Sequence, residues 1–107
     1  MSSWEIIITP EAAKELRDIH HYIADSLQAP GAAKKQVEQI LKTIHSLDSM
    51  PMRYPLYEKD PWHARGLRKV GVGKFLVFYL PNEATGEVVI FHVFYGGRDA
   101  ARILSGG

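Results

Sequence analysis

Apolar residues in the second half of the chain fall into three short runs separated by turn-forming residues. The first run follows Arg65, the second covers residues 75–80 and the third covers residues 88–95. β-branched and aromatic residues fill the runs, and Gly, Pro and Asn lie between them, which is typical of consecutive antiparallel strands. We assign residues 71–73 to the first turn and residues 81–86 to the second.

The first half of the chain has the pattern of one strand followed by two helices. Residues 4–8 form a short β-branched run, and Thr9 and Pro10 then provide a helix cap and a favoured first helical residue. We expect this helix to end near Gln28, because Pro30 disfavours helical geometry at the residue before it. The second helix is predicted from Pro30 to about residue 50. Apolar stripes at helical spacing define the two helices, with Ala12, Leu16, Ile19, Ile23 and Leu27 in the first and Ala33, Val37, Ile40, Leu41, Ile44 and Leu47 in the second.

The predicted order is β-α-α-β-β-β with a short C-terminal helix after Asp99, in a single domain over residues 1–107. Strands and helices are segregated, so the fold class is α+β with a small, mainly antiparallel sheet. A helical hairpin covers only one face of such a sheet, yet both alternating sets of strand residues are apolar. We therefore expect an apolar, concave interaction surface on the other face, partly covered by the C-terminal segment. The alternative is that the proline-rich loop 52–64, with three aromatic residues, folds over that face.

Composition and charge narrow the classes of function. The chain has 107 residues and no cysteine, which excludes disulfides, thiolate metal sites and a thiol nucleophile. Residues 1–50 hold five basic and seven acidic side chains, and residues 51–107 hold eight and five, so a modest basic excess lies with the sheet. This excess is too small to predict direct, sequence-specific DNA binding by this chain alone. We also expect no cofactor, no metal, no membrane association and a cytoplasmic location.

Two arginines and a histidine are the candidates for chemistry. Arg68 lies in the first strand of the meander and Arg98 lies just beyond the last, and an antiparallel meander can bring such positions together. Two guanidinium groups would suit a phosphate, although Arg98 can also pair locally with Asp99. His92 could act as a general base, but its apolar neighbours favour a hydrogen-bonded core residue.

The chain resembles the RelE/ParE superfamily of bacterial type II toxins over nearly its whole length. No single motif is diagnostic, and the resemblance rests on their order and spacing. The matching segments are residues 8–16, Ile-Thr-Pro-Glu-Ala-Ala-Lys-Glu-Leu; residues 19–24, Ile-x-x-Tyr-Ile-Ala; Ile44, Leu47 and Pro51; Gly66 to Lys69; Phe78-Tyr79; residues 93–99, Val-Phe-Tyr-Gly-Gly-Arg-Asp; and Ile103-Leu104. The resemblance implies the fold predicted above and a toxin that is held silent by an antitoxin.

Within this superfamily the resemblance leaves the target open. RelE-type ribonucleases use arginines at the positions of Arg68 and Arg98, and Glu58 could replace the carboxylate base of related members. The tyrosine that those ribonucleases carry near the C-terminus is absent after Arg98, which favours the ParE branch and inhibition of DNA gyrase. The alternatives are a ribosome-dependent mRNA endonuclease and an inactive member that only binds an antitoxin.

The resemblance also suggests two sets of contact residues. We assign Phe75, Val77, Tyr79, Phe91, Val93 and Tyr95 to antitoxin binding. We assign Arg68, Lys69, Arg98 and Arg102 to contact with the target, which is gyrase or the ribosome.

Overall fold

The computed structural model describes residues 3–106, and in these residues the strands and helices form separate blocks. The strands are β1 (Glu5–Ile8), β2 (Arg68–Val72), β3 (Phe75–Asn82) and β4 (Glu87–Tyr95). The helices are α1 (Pro10–His21), α2 (Pro30–Ser46), α3 (Trp62–Arg65) and α4 (Ala100–Leu104), with a π-helical turn at Tyr22–Ser26 and a 3-10 turn at Pro51–Arg53. This order confirms the predicted α+β class, and α3 is a short helix that the sequence pattern did not indicate.

The four strands form one sheet in the order β1-β4-β3-β2. β2, β3 and β4 make the predicted antiparallel meander, whereas β1 pairs with β4 in parallel, with Ile6 opposite Val88. The segments of the chain that are farthest apart in sequence are therefore neighbours in the sheet. None of the helices in the described part of the chain is long and apolar enough to cross a bilayer.

The helical hairpin begins where the sequence predicts. The Thr9 hydroxyl accepts a hydrogen bond from the Ala12 N–H at 3.1 Å, and Pro10 occupies the first helical position. This cap satisfies one of the amide donors that every helix leaves free at its start. α1 and α2 then pack their apolar stripes against one face of the sheet. The buried residues of this core are Ala12, Leu16, Ile40, Ile44, Leu47, Val70, Val72, Val77, Tyr79, Val88, Ile90 and Val93.

The first helix does not run unbroken to Gln28. α1 ends at His21 and the chain continues through the π-helical turn, whose extra residue per turn rotates every later side chain relative to the stripe. Gln28 then adopts a left-handed conformation with φ of 53°, which reverses the chain before Pro30. Leu27 was predicted in the buried stripe, but it is 56% exposed.

A β-bulge in β4 sets which side chains face the helices. Phe78 pairs with His92 and the next residue, Tyr79, pairs with Ile90, so Phe91 is an extra residue in β4. A bulge of this kind shifts the alternation of side chains by one position. Val88, Ile90 and Val93 all lie in the core under the helices, although strict alternation would place Val93 on the opposite face from Ile90.

The second face of the sheet is covered by the chain's own residues, so the prediction of an open apolar face is wrong. Phe78 is fully buried and Phe94 is 3% exposed, with the two rings stacked at 5.1 Å. Tyr57 of the proline-rich loop meets Phe78 edge to face at 5.6 Å, and Leu104 of α4 completes the cluster. The alternative prediction, in which the 52–64 loop folds over this face, is confirmed. α4 also packs against this face.

Two hydrogen-bonded anchors hold the start of that loop against the sheet. The buried Tyr79 hydroxyl donates to the Pro51 carbonyl oxygen at 2.6 Å, and Arg68 Nη1 donates to the carbonyl oxygens of Met52 and Tyr54 at 3.0 and 2.6 Å.

The turn between β2 and β3 is shorter than predicted. β2 extends through Val72, and Gly73, at φ of 59°, forms the turn with Lys74.

Candidate functional site

A groove lies between the end of the first helix and the β2–β3 turn. It has a volume of about 910 Å³. We call it the tyrosine groove and define it by Tyr22, Leu27, Phe75 and Tyr95, which are four of the large apolar side chains that line it. Three of these are among the most exposed large apolar residues described, with Tyr22 at 58%, Leu27 at 56% and Tyr95 at 51%. A concentration of exposed apolar side chains in one groove is typical of a surface that a partner covers.

The local structure explains why these side chains are exposed together. The π-helical turn begins at Tyr22 and turns Leu27 away from the core, and the Tyr95 ring meets Phe75 edge to face at 6.2 Å across the β3–β4 pair. Tyr22, Phe75 and Tyr95 also line a second hollow of about 390 Å³, which extends the groove towards Arg98. The surface is therefore continuous across the end of the sheet.

Charged groups are distributed unevenly along this surface. The second hollow includes Glu15, Asp18 and Arg98, whereas Lys74 carries the only formal charge among the described residues that line the tyrosine groove. The Lys14 ammonium group donates to Asp18 at 2.7 Å, and this hydrogen bond lowers the pKa of Asp18. Both acidic side chains in the hollow therefore have partners, since Asp18 pairs with Lys14 and Glu15 is hydrogen-bonded to β4.

Glu15 closes part of the outer edge of β4. β1 pairs with β4 only as far as Ile90, and beyond that point the Glu15 carboxylate accepts the Val93 N–H at 2.8 Å. The other carboxylate oxygen lies 3.0 Å from His92 Nδ1. A side chain thus takes the place of a neighbouring strand at this edge. An unpaired N–H group here could otherwise form a hydrogen bond with a strand of another chain. His92 is held by a carboxylate and is only part-buried, in place of the apolar setting that its neighbours in sequence suggest.

The two arginines proposed for phosphate chemistry are not brought together. Arg68 pairs with Tyr79 near one end of the β2–β3 ladder, whereas Tyr95 pairs with Phe75 at the other end, and Arg98 follows three residues later. Four residues of β3 separate these levels, which is about 13 Å at roughly 3.3 Å per residue. The Arg68 guanidinium is also bound to the two loop carbonyls. These two arginines therefore do not form one phosphate site.

The remaining predicted polar residues lie in three places. Glu58 is paired with Lys69 at 3.0 Å on the surface, and its own backbone N–H, together with Lys69, lowers its pKa. A carboxylate held in its ionised form in this way is a weak base. Lys69 also lies over the Tyr57 ring at 5.6 Å. Arg102 is exposed on α4, near Arg98 in the chain.

The residues assigned to antitoxin binding divide into three groups. Val77, Tyr79 and Val93 are fully buried under the helices, where no partner can reach them in this conformation. Phe75 and Tyr95 lie in the tyrosine groove. Phe91 projects on the opposite face of the sheet, into a pocket of about 300 Å³ that it shares with Trp62 and Leu104.

Tyr22, Leu27 and Gln36 belong to the groove but were not singled out from the sequence. For Tyr22 a signal was available, since it is a large aromatic residue outside the apolar stripe of its helix. Leu27 lies within the stripe at helical spacing, and only the π-helical turn places it on the surface. Nothing in the pattern of α2 distinguishes Gln36 from the other polar residues of that helix.

Solved structures define the class of fold. A chain of the chromosomal ParDE TA system from P. aeruginosa superposes with a TM-score of 0.70 at 21% identity, covering 87% of this chain and 96% of that one. A chain of the toxin–antitoxin complex RelBE2 from Mycobacterium tuberculosis gives 0.59 at 20% identity, covering 89% and 93%. A search of curated proteins found no significant match. The fold is thus one that occurs in toxin–antitoxin systems.

The family follows from the sequence model. The model of the ParE toxin of type II toxin–antitoxin systems, parDE, matches residues 6–100. The chain belongs to the ParE toxin family. This membership confirms the resemblance to the RelE/ParE superfamily and the preference for its ParE branch.

Proposed function

We propose that this ParE-family toxin inhibits DNA gyrase in the cytoplasm and is neutralised by an antitoxin that docks in the tyrosine groove. The family match supports the first part, together with the arrangement of the arginines. Ribonuclease chemistry of the RelE type would need cations gathered around one phosphate. Here Arg68 is bound to loop carbonyls at one end of the sheet and Arg98 is at the other.

The exposed apolar side chains of the groove carry the second part of the proposal. Tyr22, Leu27 and Tyr95 are each more than half exposed within one continuous concave surface. Aromatic side chains at the centre of an interface contribute disproportionately to affinity. An antitoxin segment that covers the groove would remove this apolar area from water at about 25 cal/mol per Å².

The target is tested by expressing the protein without its antitoxin. We expect growth arrest, loss of plasmid supercoiling and gyrase-linked DNA breaks, with cellular mRNA left intact. Cleaved mRNA with normal supercoiling would favour the endonuclease alternative, and the absence of any arrest would favour an inactive member.

Contact with the target is tested at the basic residues near α4. Arg98 and Arg102 are both exposed, so alanine at either position should reduce growth arrest while leaving the fold intact. Arg17→Ala removes another exposed arginine, on α1, and is the matched control. Equal toxicity of all three variants would exclude Arg98 and Arg102 from target contact. Arg68→Ala is less informative, because it also releases the loop.

Antitoxin docking is tested with the protein encoded by the gene next to this one, because that is where the antitoxin of such a toxin would normally be encoded. Tyr22→Ala or Tyr95→Ala should weaken the complex at least tenfold without lowering the thermal stability of the free toxin. Met50→Ala is the control, because Met50 is 72% exposed and lies outside the groove. Tight binding by all three variants would place the antitoxin elsewhere.

A further inference from the structure

Gln36 is a buried donor that has no partner at the wall of the tyrosine groove. Its Nε2 atom is inaccessible to solvent and makes no hydrogen bond with any residue the structure describes. Buried polar groups of this kind are rare, because leaving one unsatisfied costs roughly 1–3 kcal/mol. The side chain lies against the β2–β3 turn, where a Cβ placed on Gly73 would come 3.5 Å from its amide oxygen.

Lys74 is an exposed cation at the same place. It follows Gly73 in the turn, is exposed and forms no ion pair among the residues described. It carries the only charge among the groove-lining residues described, so this end of the groove is electropositive. An acidic group would be favoured here. At the other end, beyond Tyr95, the hollow holds Glu15, Asp18 and Arg98, and both carboxylates already have partners.

We propose that Gln36 and Lys74 select the partner segment that fills the tyrosine groove. The occupant is an antitoxin segment with a bulky apolar side chain followed by an acidic residue. The apolar side chain lies among Tyr22, Leu27 and Tyr95, and the carboxylate pairs with Lys74. The Gln36 amide, whose side chain lines the groove, rotates out of its buried position and donates from Nε2 to an oxygen of the segment. Lys74 also sets the direction of the segment, with its acidic end at the β2–β3 turn. This inference rests on the proposed function.

The test measures the affinity of the purified toxin for the protein encoded beside its gene. Gln36→Leu keeps the approximate size of the side chain but removes the donor. We expect affinity to fall about tenfold, which corresponds to about 1.4 kcal/mol, while the free toxin keeps or gains thermal stability because the unsatisfied group is gone. Gln39→Leu makes the same change at an exposed position on α2 and should leave affinity unchanged.

A second variant tests the charge. Lys74→Glu should reduce affinity at least tenfold at low salt, and the difference should shrink as salt screens the interaction. This surface substitution does not depend on how the core tolerates a change at Gln36.

The outcomes separate the two proposals. If the wild-type toxin binds the neighbouring protein and both Gln36→Leu and Lys74→Glu bind it equally well, selection by these residues is overturned. The proposal that this protein is the antitoxin would still stand. A parallel loss of stability and affinity in Gln36→Leu would show a merely structural role. Absence of binding by the wild type would refute the proposed function and this inference with it.

Discussion

Tyr79→Phe removes a single hydroxyl group from the middle of the sheet and should destabilise the protein. Tyr79 is fully buried, and its hydroxyl donates to the Pro51 carbonyl oxygen at 2.6 Å. The substitution keeps the ring but leaves a buried acceptor without its donor, which costs roughly 1–3 kcal/mol in the free energy of unfolding. Binding of the antitoxin should not change, because the ring lies under the helices.

The same hydroxyl makes the difference in stability between the wild type and Tyr79→Phe depend on pH. Burial raises the pKa of Tyr79 from 10.0 to about 12. Between these values the unfolded chain has released the phenolic proton and the folded chain has not, so stability falls as pH rises through this window. The full interval corresponds to about 2–3 kcal/mol, at about 1.36 kcal/mol for each pH unit. The Tyr79→Phe variant has no phenolic proton to release, so this part of the loss of stability at high pH is absent from it.

Urea unfolding of the two proteins from pH 7 to pH 11.5 measures the effect. Every other ionising group is shared, so the difference in the free energy of unfolding isolates Tyr79. We expect a constant advantage for the wild type up to about pH 9.5 and a shrinking advantage above pH 10. A difference that stays constant across the whole range, or equal stability at pH 7, would refute the reasoning.

Two further substitutions test the second face and the outer edge of the sheet. Phe78→Ala should lower the free energy of unfolding by about 3–5 kcal/mol, as for a buried ring. A loss below about 1 kcal/mol in urea unfolding would mean that the face is open after all. Glu15→Ala should cost about 1–3 kcal/mol, because the Val93 N–H loses its acceptor, and Glu15→Gln should recover part of this. Identical losses in both Glu15 variants would show that the carboxamide oxygen cannot replace the carboxylate at this N–H.

Local signals in the sequence were sufficient for the four strands, the two long helices, the C-terminal helix and their order, but not for α3 or the π-helical turn. The Thr9–Pro10 cap and Pro30 mark helix starts through chemistry that acts within a few residues, and the β-branched runs mark the strands. These signals depend little on the rest of the fold. The α+β class and the meander followed from them.

The faces of the sheet could not be predicted in the same way. Phe91 and His92 are both compatible with a strand, so no local feature shows which residue is the extra one in β4. The bulge determines which face of the sheet Val93 and Tyr95 point to, and it arises from the pairing of β4 with β3. The cover of Phe78 depends on contacts with Tyr57 and Leu104 from distant segments. Only part of the candidate site could be predicted: Phe75 and Tyr95 were assigned to binding from the sequence, whereas the position of Leu27 depends on the π-helical turn.

The parallel pairing of β1 with β4 also constrains the timing of folding in the cell. β1 is synthesised well before residues 87–90, which are its partner in the sheet that the described residues form. Until then the apolar side chains of the first strand have no sheet to join, and the helical hairpin has no complete surface to cover. A growing chain therefore cannot complete the sheet, or the core beneath the helical hairpin, until residues 87–90 have been made.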